Sequence, residues 1–201
     1  MQTLLDLSDD NRSNVREGAG FWVRALARVI DTLVHLAVGL AAGLATGILV
    51  AIGSALQGIP GDKTIEKLSA TTPLAFLASL IGDVALHAVA EGLHGSTLGK
   101  RICGLTVISE DGTPATLPDA VKRSIAYFWD ALFFGWVGAR KMAESPRNQR
   151  FGDVWGHTQV VRLSALDPGS RRSWVSFVLA NGLAVVIDGA ALFIGNLSNL
   201  L

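Results

Sequence analysis

Three stretches of this chain are each apolar over a length that can cross a lipid bilayer, and they dictate the solvent in which it folds. A helical crossing of the ~30 Å hydrocarbon core takes about 20 residues at ~1.5 Å rise per residue. The first stretch runs from Val29 to Leu56, with Asp31 its one charged side chain. The second opens after Pro73, a residue suited to a helix start, and continues through Leu93 with Asp83, His87 and Glu91 inside it. The third runs from Trp174 to about Leu197 and holds Asp188. A fourth stretch, Ser124 to Ala139, is shorter and includes Asp130. Lys122 and Arg123 precede it, and Arg140 and Lys141 follow it.

Composition agrees with a membrane setting. Hydrophobic residues make up 50% of the 201, charged residues 17%, and mean hydropathy is +0.41. Seventeen basic and seventeen acidic residues cancel, so no global field attracts nucleic acid. The single cysteine, Cys103, forms no internal disulfide. The first twenty residues carry Asp6, Asp9, Asp10 and Glu17, unlike the basic start of a cleaved signal peptide, so the N-terminus is expected in the mature protein.

Lysine and arginine placement predicts an orientation, because cytoplasmic loops hold their excess. Four lie in the segment up to Arg28, two between Gln57 and Thr72, four from Gly95 to Arg123, and seven from Ala139 to Ser173. A cytoplasmic N-terminus and an external first loop satisfy these counts, with both flanks of the fourth stretch inside. Ser124 to Ala139 then re-enters or lies at the interface; a true fourth crossing is the alternative. The β-rich runs Ile102–Ile108 and His157–Leu163 can pair only from the same side of the membrane, which favours the first arrangement.

The expected fold is therefore an all-α membrane protein. It has three transmembrane helices, one short re-entrant or interfacial helix and a small cytoplasmic β-hairpin-like element. The divisions are a polar segment 1–20, a membrane domain 21–163 with helices at about 24–56, 73–94 and 120–140, a linker 164–173, and an additional C-terminal transmembrane helix in 174–201.

Ionisable groups inside membrane helices are costly and mark function by default. Asp83, His87 and Glu91 recur every fourth residue and lie along one helix face, a pattern able to pass a proton or hold a cation. Arg24, Arg28, Asp31 and His35 share a face of the first helix. Antiparallel packing brings Glu91 to the depth of Asp31 and His87 to that of His35, with Arg24 or Arg28 as charge partners for Asp31 and Glu91. The structural alternative is that these groups only tie helices together. Gly39, Gly43 and Gly47 form overlapping small-xxx-small motifs that let a helix backbone approach closely.

Other motifs lead nowhere. Gly95-Ser96-Thr97-Leu98-Gly99-Lys100 is one residue short of a phosphate loop and is followed by Arg101 where a magnesium-binding hydroxyl belongs. Glu91 and His94 form one Glu-x-x-His pair without the second that di-metal bundles use, so no metal and no cofactor is expected. No nucleophile, base and oxyanion arrangement is legible, and an enzyme is not expected. Arg171 and Arg172 beside Trp174 read as an interfacial anchor.

Three ordered motifs resemble those of the RDD-family membrane proteins, over about Gly18 to Leu163. The first is Gly20-Phe21-Trp22 with Arg24 and Asp31; the second is Thr97-Leu98-Gly99-Lys100-Arg101 followed by Gly104-Leu105-Thr106-Val107; the third is Gln149-Arg150-Phe151-Gly152-Asp153. The resemblance makes Arg24, Asp31 and Asp153 the arginine and two aspartates of the family name, with Gly99, Lys100 and Arg150 as further motif positions. Asp153 is then a switch, or a bridge to Arg150 or Lys100. Family members often show a longer apolar segment where this chain has Ser124 to Ala139, and the last helix lies outside the match.

A few family members have been proposed to exchange sodium or other cations for protons. The resemblance thus permits cation or proton transport in a bacterial inner membrane, with Asp31, Asp83, His87 and Glu91 on the path. Expected partners are the lipid bilayer, a monovalent cation or proton, and further copies of the chain or another membrane protein. The rival expectation is a non-transporting accessory or assembly subunit.

Overall fold

The computed structural model describes residues 17–60, 73–133 and 135–197. Most of the polar N-terminal segment, most of the expected first loop and the last residues of the tail lie outside the described residues.

Helix α1 spans Phe21–Leu56 and α2 spans Pro73–His94. The short α3 (Leu98–Ile102) leads into strand β1 (Leu105–Ser109), then α4 (Leu117–Asp130), α5 (Trp136–Glu144), α6 (Phe151–Trp155) and strand β2 (Thr158–Arg162). Two 3-10 turns, Leu163–Ala165 and Pro168–Ser170, precede α7 (Trp174–Leu197). Among the described residues, α1, α2 and the segment ending in α7 are long and apolar enough to cross a membrane.

Side-chain contacts fix how the long helices run. His94 meets Ser176 at 2.9 Å, Gly82 abuts Asp188, and Gly195 lies against Ala75 and Ala78, so α2 and α7 are antiparallel. His35 meets Asp188, and the backbone positions of Gly39 and Gly43 face Leu192 and Asn196, so α1 and α7 run the same way. Everything from Gly95 to Ser173 therefore gathers at one end of the bundle, beside the start of α1. Leu33, Leu36, Leu40, Leu44 and Ile48 of α1, Phe76 and Ile81 of α2, and Leu179 and Val186 of α7 stay more than half exposed along the sides. That apolar coat is what a bilayer covers. At about 54 Å, α1 is longer than the hydrocarbon core and so must tilt or project beyond it.

The head at the polar end is stitched by turns and pairing. Gly95 ends α2 with φ +88°, and its carbonyl accepts from Val107 N at 2.7 Å. A side chain there is excluded twice over, by the left-handed backbone and by Thr106 Oγ1 and Val107 O, each 3.0 Å from where a Cβ would stand. Strands β1 and β2 pair antiparallel from Leu105↔Arg162 to Ser109↔Thr158. They are joined through three helices and not by a tight hairpin. Leu105, Val107 and Val160 form a core with Ala19, Ala27 and Ala115, and Ala19 N donates to Val160 O at 2.8 Å.

The helix expected over about 120–140 is instead two, α4 and α5. The chain reverses between them through Phe133 and Gly135, at φ +52° and +85°. Asp130 explains the break: its carboxylate accepts from Phe151 N at 3.0 Å and Gly152 N at 3.1 Å, tying the end of α4 to the start of α6. Trp129, Phe151 and Trp155 then line an exposed apolar groove with Ala126 and Val137. Lys141 lies 5.5 Å from the Phe151 ring and Arg140 5.6 Å from Trp136, an arrangement suited to the bilayer interface.

Candidate functional site

Where α1, α2, α3, α4 and α6 converge, charged side chains are packed out of water and paired. Arg24 of α1 donates to Asp153 Oδ2 of α6 at 2.5 Å and to the Asn148 carbonyl at 3.0 Å. Arg123 of α4, only 1% exposed, donates to Asp153 Oδ1 at 2.7 Å and to Glu91 Oε2 of α2 at 2.9 Å. Lys100 of α3 reaches Glu91 Oε1 at 2.6 Å. Asp153 also accepts from Arg150 N at 3.0 Å, an N-terminal cap that starts α6. Five elements are thus joined through Glu91, Arg123 and Asp153.

Asp31 does a different task. It accepts from Thr97 Oγ1 at 2.6 Å and from Gly99 N at 2.7 Å, and so holds the N-terminus of α3 against α1. Gly99 permits that approach, because a Cβ there meets Ala27 O and lies 2.9 Å from Asp31 Oδ1. Gly99→Ala is expected to push α3 off α1 and to cost about 1–3 kcal/mol, measured as unfolding of purified protein in detergent. An unchanged midpoint would show that the contact yields without strain.

The electrostatics outside the spanning helices follow from burial set against partners. For Asp153, burial disfavours the charge, but Arg24, Arg123 and Arg150 outweigh it and hold the carboxyl well below the usual aspartate range. For Arg123, burial is likewise overcome by Glu91 and Asp153, and its affinity for the proton rises. Lys100 goes the other way: burial pulls its pKa down, with Glu91 offsetting only part. Asp130 is raised by burial, partly countered by Arg150, which sits 3.4 Å away.

On α2, Asp83 pairs with Arg28 at 2.5 Å, both side chains about one-fifth exposed. Arg28 also lies 4.1 Å from the Tyr127 ring. His87, buried, sits between the two carboxylates, 3.8 Å from Asp83 Oδ1 and 3.6 Å from Glu91 Oε1. Among the described residues, no hydrogen-bond partner reaches its Nε2 or Nη2 of Arg123. Both residues line a cavity of ≈30 Å³ with Arg24, Arg28, Lys100 and Tyr127, a space of water size. One turn deeper, His35 Nδ1 lies 3.0 Å from each Asp188 oxygen, and its Nε2 lies 3.1 Å from Ser79 Oγ.

Several sequence expectations change in detail. Arg24 and Arg28 do not neutralise Asp31 and Glu91: Arg24 is taken by Asp153, Arg28 by Asp83, and Glu91 by Lys100 and Arg123. Lys100 goes to Glu91, not to Asp153, while Arg150 lies 3.7 Å from Asp153. His35 faces Asp188 and Ser79. Gly39 and Gly43 face α7 at ordinary contact distance, and none of the described residues comes within 4 Å of where a Gly47 Cβ would stand. Closer glycine contacts lie elsewhere, among them those at Gly18, Gly82, Gly92, Gly99 and Gly195. Arg123 and Asp130 escaped notice as site residues, although they stand seven apart on the small-residue face of α4, beside Ala120 and Ser124.

Similarity to known proteins points the same way. Residues 18–157 match the RDD family. A Bacillus subtilis (strain 168) protein, named uncharacterized protein YxaI, is 29% identical over 121 residues, covering 58% of this chain and 80% of that protein. No solved structure matches. With Arg24 and Asp153 paired, Asp31 capping α3 and the family match covering most of the sequence, this chain belongs to the RDD family of membrane proteins.

Proposed function

We propose that this protein moves protons in exchange for a monovalent cation across a bacterial inner membrane, with its N-terminus and polar head in the cytoplasm. The observation that carries the reading is His87. An imidazole with an unmet ring nitrogen, buried between two carboxylates at a water-sized cavity, is a group placed to take up and hand on a proton. Asp83 lies on the membrane side of it and Glu91 on the head side. Arg28, Lys100 and Arg123 hold those carboxylates charged and in position, and Asp31 and Asp153 anchor the head that supplies two of these cations. Several copies of the chain would assemble to enclose the path.

The test is cation-dependent proton flux into liposomes holding the purified protein, with sodium, potassium and lithium compared. His87→Gln and Asp83→Asn are each expected to lower flux at least tenfold while the protein stays folded and inserted. His87→Gln is the cleaner of the two, since Asp83→Asn also releases Arg28. Wild-type flux no higher than that of empty liposomes would remove the transport reading.

The second reading, a non-transporting accessory subunit, is favoured by the exposed apolar groove of Trp129, Phe151 and Trp155, a space of ≈450 Å³ open to an apolar partner. On that reading Asp83→Asn is nearly silent wherever the partner complex survives.

A further inference from the structure

We propose that Asp188 of α7, with His35 of α1, is a proton-binding site deep in the helix bundle. It forms the inner end of the titratable stripe on α2. This deepens the transport reading and rests on it for its purpose, though the site's existence does not.

Asp188 is fully buried, and among the described residues its ion-pair partner is His35. Position 188 lies outside the family match at residues 18–157, while His35 lies inside it. Asp188 stands fourteen residues into α7 from Trp174, about 21 Å along the axis, which is a middle depth for a spanning helix. A lone carboxylate there is strongly disfavoured, so the His35–Asp188 pair carries a proton, either on the imidazole or on the carboxyl. The charged groups nearest to it, Arg28 from α1 and Asp83 from α2, are paired with each other and supply no net counter-charge.

The helix opposite is shaped around this carboxylate. A Cβ at Gly82 of α2 would collide with Asp188 Oδ1, so any larger residue displaces the pair. Ser79 Oγ lies 3.1 Å from His35 Nε2, and Ser79, Asp83, His87 and Glu91 recur every fourth residue on α2. That face spans about 18 Å from Glu91 to Ser79. His35 and Asp188 thus extend the stripe by one more step, onto a second and a third helix.

The proton balance is simple. Starting from the deprotonated pair, a neutral Nδ1–H imidazole beside a carboxylate, a proton taken up at His35 Nε2 from the Ser79 side lets the Nδ1 proton pass to an Asp188 oxygen. The imidazole ends neutral in its other tautomer, the carboxylate becomes a carboxylic acid, and the pair has gained one proton. The reverse step releases it.

The experiment combines infrared difference titration of the protonated-carboxyl band with proton flux, both on lipid-reconstituted wild type and Asp188→Asn. A pH-dependent band present in the wild type and missing from the variant, with flux reduced at least tenfold, supports the site. The same band in both proteins overturns it. Normal flux in Asp188→Asn overturns it while leaving the transport reading intact. A band lost in the variant without any wild-type flux keeps the site and removes the transport reading. Should Asp188→Asn fail to fold, Gly82→Ala replaces it: a shift of the band's titration by at least one pH unit is expected, and an unmoved titration overturns the proposal.

Discussion

Replacing Arg123 with methionine is expected to be among the most damaging single changes to this fold, costing about 3–5 kcal/mol. Methionine keeps the apolar stem of the side chain and removes the guanidinium, so the loss measures mainly the charge and its hydrogen bonds. In the wild type one guanidinium serves Glu91 through Nε and Asp153 through Nη1, and also donates to Thr158 Oγ1 at 2.8 Å. Without it, Glu91 retains Lys100 and Asp153 retains Arg24, while the Thr158 hydroxyl loses its donor. Two buried carboxylates are then each left with one fewer cation, and that uncompensated charge drives the loss. Unfolding of purified protein in mild detergent, followed by circular dichroism, measures it. A midpoint within experimental scatter of wild type would mean that Lys100 and Arg24 alone suffice.

A double-mutant cycle separates the shared arginine from its partners. If Arg123 and Glu91 are coupled as their 2.9 Å contact implies, Arg123→Met with Glu91→Gln costs less than the two single losses added. An additive result would show that each side chain acts through other neighbours.

The sequence made the architecture legible because the bilayer imposes it. The apolar lengths, the Pro73 start and the β-rich runs at 102–108 and 157–163 depend on local pattern; the long helices form there, and the strands form at 105–109 and 158–162, overlapping those runs. Pairing within the head was less legible, since it depends on which side chains reach across elements far apart in the chain. Arg24 and Asp153 are 129 residues apart, and His35 and Asp188 are 153 apart. Motif resemblance brought out Arg24 and Asp153, but nothing local distinguishes Arg123 from its neighbour Lys122. The break of α4 at Asp130 was hidden for the same reason, because the amides that hold that carboxylate belong to α6. The glycine stripe misled in a complementary way. Spacing finds small residues on a face, while only three dimensions show that Gly99 and Gly82 are among those pressed against a neighbour.

Asp153→Asn is expected to match Arg123→Met in severity, at about 3–5 kcal/mol, and to change the pH response as well. Asparagine keeps the size and one acceptor but leaves Arg24, Arg123 and Arg150 facing a neutral group. Because the wild-type carboxyl titrates below its unfolded value of ~3.9, its stabilisation is fully present above that pH. It is lost as pH falls through the ordinary aspartate range toward the folded value. Asp130 has the opposite sign: with its pKa raised by burial, the stability it contributes is present at low pH and lost as pH rises through its folded value. Acid unfolding of the wild type should therefore be steeper than that of Asp153→Asn, whose remaining slope loses the Asp153 contribution. Exchanging charges, with Arg24→Asp and Asp153→Arg together, should fail to restore stability. Arg123 and Arg150, which share the carboxylate at position 153, would then face a third arginine there. Recovery in the exchanged protein would mean that Arg24 and Asp153 act as an isolated pair, and the head would be joined to the bundle by something other than this shared carboxylate.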